Sequence, residues 1–109
     1  MKNQVQLIGH LGQDPKLKTF DSGSKQAKFS VATSQNFRDK SGEWQSSTQW
    51  HQIVAWGPLA DKADQKLRKG SKVGVTGELR YHRWEDEHSQ PRTLTQIIAK
   101  ELLLLDPAK

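Results

Sequence analysis

Apolar residues recur at every second position along much of this chain, in short runs interrupted by glycine, proline and small polar residues. Val5 and Leu7 alternate with Gln4 and Gln6, and Ala27, Phe29 and Val31 alternate along KQAKFSVAT (25–33). Val73, Val75 and Leu79 point to one side of SKVGVTGELRYHRW (71–84). A period of two is that of a half-buried strand. Several such strands at short spacing predict an all-β sandwich or barrel. Gly9 and Gly12 in the first run, and Gly74 and Gly77 in the later one, mark bends, bulges or close backbone approach of the kind that a small barrel requires. Asp14-Pro15 ends the first strand, because Pro15 has no N–H for a ladder. Lys16 to Phe20 reads as a short extended piece before a turn at Asp21–Ser24.

Three stretches depart from the alternation. SQNFRDKSGEWQSS (34–47) has no sustained period and only two large apolar residues, Phe37 and Trp44, so it reads as a long, mobile hairpin loop. Gly57-Pro58 opens a helix, with Leu59, Ala60, Ala63 and Leu67 at helical spacing, an acid early, bases late and Gly70 as the stop. Glu85 to Pro91 is a polar loop, and the last strand runs from Arg92 to Leu105, before Asp106-Pro107 ends the ordered chain.

The stretch TQWHQIVAWG (48–57) carries two of the four tryptophans. Unbroken alternation puts Trp50, Gln52, Val54 and Trp56 on one face and His51, Ile53 and Ala55 on the other. Val54 is then apolar on the polar side, and a bulge would move it inward. The two indoles, six residues apart, are separated by about 20 Å of strand, so they are either core or platforms for two different flat groups.

With 109 residues the chain is one domain, and with 33% hydrophobic residues its core is thin. It has no cysteine, hence no disulfide, thiolate nucleophile or cysteine-held zinc. No run is apolar enough for a membrane span or a signal-peptide core, so a cytoplasmic protein is expected. Seventeen Lys and Arg against twelve Asp and Glu give a formal charge of +5, which favours a polyanionic partner such as nucleic acid. His10, His51, His82 and His88 lack metal-ligand spacing, and no phosphate-binding glycine loop or nucleophile triad is visible. Catalysis, a metal and a cofactor are therefore not expected.

Five strands with one helix between the third and fourth is the order of the OB-fold, a small Greek-key barrel. The blocks GHLGQDP (9–15), WHQIVAWG (50–57) and LRKGSKVGVTGELRYHRW (67–84) together resemble bacterial single-stranded-DNA-binding proteins, in register over nearly the whole chain. The resemblance implies one OB-fold domain over residues 1–105, with 106–109 a short end. It also implies sequence-tolerant binding and protection of single-stranded DNA during replication, recombination and repair, with nucleoid association. By position it assigns base stacking to Phe37, Trp50, Trp56 and Trp84, a subunit interface to His51, and a homotetramer as the assembly. Phe37 stands where a tryptophan is usual and Trp56 where a phenylalanine is usual, and both keep a π-face.

Single strands present phosphates and flat bases, so binding them needs cations interleaved with aromatic faces. Arg38 and Lys40 flank Phe37, and Arg80 and Arg83 precede Trp84, with Tyr81 and His82 between them. Lys66, Lys69 and Lys72 offer a path for the phosphates around the helix, and Lys16, Lys18, Lys25, Lys28, Lys62 and Arg68 are further candidates. Trp44 matches no shared stacking position and is expected to pack against a neighbouring loop or subunit. Relatives usually continue into a Gly/Pro/Gln-rich linker with an acidic tip that recruits partners. This sequence stops at Lys109, so partners that dock through such a tip are not expected. Glu85-Asp86-Glu87 places three acids beside Trp84, where they either weaken phosphate contact or face solvent. A primosome-type OB interaction module and an RNA-binding OB domain are the alternative readings.

Overall fold

The computed structural model describes residues 2–105, so the chain end expected at Asp106-Pro107 lies outside the described residues. The elements follow as β1 (Val5–Leu11), β2 (Lys16–Thr19), β3 (Lys25–Arg38), β4 (Trp44–Trp56), α1 (Pro58–Lys66), β5 (Lys72–Glu85) and β6 (Pro91–Leu104). The sheet order is β1-β5-β6-β4-β3-β2, and a second pairing, of β1 with β3, closes the five longer strands into a barrel. β2 is a short edge piece along β3. The helix therefore falls between the third and fourth long strands, the OB-fold arrangement.

Alternation supplies the core. Leu11, Phe29, Val31, Ile53, Val73, Val75, Ile97 and Leu102 fill the barrel, and Ala60, Ala63 and Leu67 pack on from the helix side. Backbone from a neighbouring strand occupies the place of a Cβ at Gly9 (Ala32) and at Gly77 (Ile98), so both strands press close only because these residues lack a side chain. The register of β5 on β6 shifts between Thr76 and Gly77, whose partners are Glu101 and Ala99, so Lys100 is the extra residue of a bulge that bends β6.

Pro58 takes the first helical position after Gly57, as expected. The helix ends at Lys66, earlier than the expected stop at Gly70. Leu67 turns into extended backbone and is fully buried, while Gly70 serves the following turn, where the Ser71 N–H donates to the Arg68 carbonyl. Burial of Leu67 overrides one more helical turn.

The expected loop over 34–47 is mostly strand. β3 and β4 pair without interruption from Gln26↔Trp56 to Arg38↔Trp44, leaving only 39–43 as the turn. This arm is wet on both faces, so no hydrophobic period marks it; its ladder is held by backbone hydrogen bonds and by the Asp39 carboxylate. Oδ1 of Asp39 accepts from the N–H of Ser41, the Ser41 hydroxyl and the N–H of Glu43, and Oδ2 accepts from Gln45. The β5–β6 turn repeats the device: Asp86 accepts from the N–H groups of His88 and Gln90 and from Arg92.

Candidate nucleic-acid interface

Register decides which side chains share a face. β4 has no bulge against β3, so Trp50, Gln52, Val54 and Trp56 do lie together, on the outer side of the barrel. Val54 is 2% exposed yet stands outside the barrel core; its cross-strand neighbours there are Lys28 and Ile98. No inward shift is needed, because the outer face itself is covered at this point. Ile53 and Ala55 are core, and His51 is half-buried, with its Nε2 2.9 Å from the Thr33 hydroxyl.

The aromatics are exposed while the barrel beneath them is dry: Trp50, Trp56, Trp84 and Phe37 all keep two fifths or more of their surface in solvent. Trp50 lies over Gly12. Trp56 stacks on Phe20, with ring centroids 5.7 Å apart and planes at 27°, and the Lys18 ammonium sits 4.8 Å from the centre of the Phe20 ring. Trp84 stacks on His82 at 5.5 Å and 24°. Trp56 and Trp84 each remain 43% exposed in these stacks. Sequence reasoning missed Phe20, although Lys16, Lys18 and Phe20 alternate onto one face, a basic and aromatic pattern that was there to read.

Lys16 and Lys28 are directly opposed across β2 and β3, on the face that carries Trp50 and Trp56, and both line a hollow with Gln13, Asp14, Ser30 and Gln52. Like charges placed opposite each other destabilise a sheet, and an anion between them relieves that cost. A second hollow is lined by Trp56, Arg80, His82, Gln96, Ile98 and Lys100, with Glu78 on its wall. Glu78 binds Arg80 through two nitrogens, with Lys100 at 4.0 Å. That hydrogen bonding from Arg80, ahead of the nearby charges, holds the Glu78 carboxyl below its ordinary range. Arg80 is thus partly neutralised where it stands.

The structure gathers some expected cations and separates others. Arg80, His82 and Trp84 alternate onto one face of β5, whereas Arg83 falls on the other, so the two arginines do not flank Trp84 together. Arg92, unnoticed in the sequence, is the residue opposite Trp84 and is tied to Asp86. Asp86 therefore spends its charge on its own turn and on Arg92. Arg38 and Lys40 are at the β3–β4 tip, and Phe37 is on the ribbon face opposite Arg38. Lys66 and Lys72 belong to the helix end of the barrel, Lys72 standing about 26 Å along β5 from Arg80. Lys69 is nearer the first hollow, its N–H donating to Asp14.

A separate outer patch is apolar. Ile8 is opposite Gly74 and Gly74 opposite Leu103, with Ile8 and Leu103 65% and 52% exposed. Among the described residues no cluster of His, Asp or Glu could hold a metal, and no helix is long and apolar enough to cross a membrane.

The model of the single-strand binding protein family matches residues 2–105. The chain is 42% identical over 104 residues to single-stranded DNA-binding protein 1 of Chlorobaculum tepidum, covering 94% of this chain and 64% of that protein. It therefore spans less than two thirds of that relative's length. Among solved structures it is similar to a Plasmodium falciparum SSB in complex with single-stranded DNA, with a TM-score of 0.89, 38% identity and 97% of each chain covered. It is also similar to a deletion mutant of the single-stranded DNA binding protein of Thermus aquaticus, with a TM-score of 0.83, 28% identity, and 95% of this chain and 50% of that one covered.

Proposed function

The chain belongs to the single-strand binding protein family, and on that premise we propose that its outer aromatic face binds single-stranded DNA without regard to sequence. The observation that carries this reading is the row of exposed rings on a rigid barrel beside an opposed pair of lysines: Trp50 and Trp56 with Lys16 and Lys28. Bases stack on Trp50, Trp56 and Trp84 on that face and on Phe37 on the reverse of the β3–β4 arm, each contributing about 1–3 kcal/mol. That magnitude is the general one for this class of protein. Phosphates run past Lys16, Lys18 and Lys28, with Arg38, Lys40 and Arg83 on the arms; Lys66, Lys69 and Lys72 extend the track around the helix end. Arg80 contributes less, because Glu78 already holds it.

The role is binding rather than catalysis: the protein keeps transiently exposed strands unpaired and shielded during replication, recombination and repair, in the cytoplasm and on the nucleoid. The apolar patch of Ile8 and Leu103 supports association of copies, and the assembly we assign is the homotetramer, with His51 near a subunit contact. Light scattering at micromolar concentration tests it, and a monomeric mass overturns it.

Trp50→Ala and Trp84→Ala test the stacking. Each weakens oligo-dT binding about 5- to 150-fold and leaves the circular dichroism spectrum unchanged. Unfolding of either variant would show that the indole is core. Competition by oligo-U at equal strength would turn the reading toward RNA, and no binding of any nucleic acid would leave a protein-docking module.

A further inference from the structure

We propose that Trp44, together with Arg38, forms a further base-stacking platform on the β3–β4 arm, engaged only by strands long enough to leave the barrel. The inference rests on the reading of the outer face as a single-strand surface, and it departs from the expectation that Trp44 packs against a neighbouring loop or subunit.

Register is the first support. Because β3 and β4 pair without a break from Gln26↔Trp56 to Arg38↔Trp44, alternation carries one ribbon face through Trp56, Trp50 and Trp44. The three indoles are spaced six and six residues apart, about 20 Å each along β4. Trp44 continues the row outward, while Phe37 occupies the reverse of the same ribbon.

Exposure and charge are the second. Trp44 is the most exposed of the four tryptophans, at 68% against 58%, 43% and 43%. No burial explains an indole there. Arg38, directly opposite on β3, places its guanidinium carbon 5.3 Å from the Trp44 ring centre. That cation lies over one face of the indole, holds the ring and brings positive charge beside it, so a base would stack on the other face with its phosphate near the guanidinium. The ring borders an open hollow with Asn36 and Ser46, which share its ribbon face and whose hydrogen-bonding side chains suit a base edge better than an apolar subunit surface. Two acids, Asp39 and Glu43, share the tip with Arg38 and Lys40; the Asp39 carboxylate is turned into its own turn, where it accepts from the Ser41 hydroxyl, the Glu43 N–H and Gln45.

The test is an affinity series. Labelled oligo-dT of increasing length is titrated with the unaltered protein, Trp44→Ala, Trp44→Phe and Arg38→Gln, following anisotropy, with light scattering and circular dichroism on each protein. Trp44→Ala is expected to match the unaltered protein on the shortest oligonucleotide that binds, and to lose about 5- to 150-fold on long ones. Trp44→Phe keeps a π-face and recovers most of that loss, and Arg38→Gln falls between them. Equal affinities for Trp44→Ala and the unaltered protein at every length overturn the inference and leave the barrel reading standing. A uniform loss at all lengths with a changed assembly mass also overturns it, in favour of a subunit contact. Failure of the unaltered protein to bind any oligo-dT overturns the underlying reading and the inference with it.

Discussion

Gly12 is the seat of the Trp50 indole: a Cβ on residue 12 would stand 2.5 Å from Cζ3 and 2.8 Å from Cη2 of that ring. β1 and β4 are not paired with each other; the Gly12 N–H reaches the barrel through the Ser30 carbonyl on β3. A glycine at the end of one strand thus decides where an aromatic side chain two strands away comes to rest.

Gly12→Ala is expected to displace the indole and leave the barrel intact, because the obstructing atoms are the far end of a side chain rather than backbone. Oligo-dT affinity falls on the order of fivefold with the urea unfolding midpoint nearly unchanged. An unaltered affinity would show that the ring's resting place is irrelevant to binding.

Phe20 holds Trp56 in the same way, through a face-to-face stack 5.7 Å between centroids. Phe20→Ala, Trp56→Ala and the double variant form a cycle in oligo-dT affinity, whose coupling is expected at about 0.5–1.5 kcal/mol. Strict additivity of the two substitutions would mean that the phenyl does nothing for the indole.

Acid should open the β3–β4 turn. Hydrogen bonds from the Ser41 hydroxyl, then Gln45, then the Glu43 N–H hold the Asp39 carboxyl below its ordinary range. A folded value below the unfolded one means that the turn's contribution is complete above the unfolded value of about 3.9 and is lost as pH falls through the folded one. Carboxyl NMR titration should place the Asp39 midpoint below that of an unstructured aspartate, with amide protection of Ser41 and Glu43 lost in the same step. A midpoint at the ordinary value contradicts the assignment of Asp39 as the turn's organiser. Asp86, lowered first by the Gln90 N–H and then by Arg92, should behave alike.

How much of this was legible depended on whether a residue's role is local. Ala27, Phe29, Val31, Val73 and Val75 announced their strands because each is inward, and the pleat writes burial into every second letter. Pro58 announced the helix start for an equally local reason. The arm over 34–47 did not announce itself, since a ribbon wet on both faces needs no period and is held by its ladder and by Asp39. Val54 was ambiguous because its cover lies on β3 and β6, at Lys28 and Ile98. The stacks of Trp56 on Phe20 and of Trp50 over Gly12 join residues 36 and 38 positions apart. Only the barrel's closure brings them together. The three-block resemblance pointed to four rings, Phe37, Trp50, Trp56 and Trp84, all of them exposed, but not to the groups that hold them.

The most direct measurement is the titration of intrinsic tryptophan fluorescence with oligo-dT at several salt concentrations, with duplex DNA alongside. Exposed indoles that stack on bases are strongly quenched at saturation, and the logarithm of affinity falls against the logarithm of salt with a slope of about −0.7 for each phosphate contacted. Duplex DNA leaves the emission nearly unchanged. Emission indifferent to oligo-dT, or a salt slope near zero, would contradict the claim that this face binds single strands by rings and cations together.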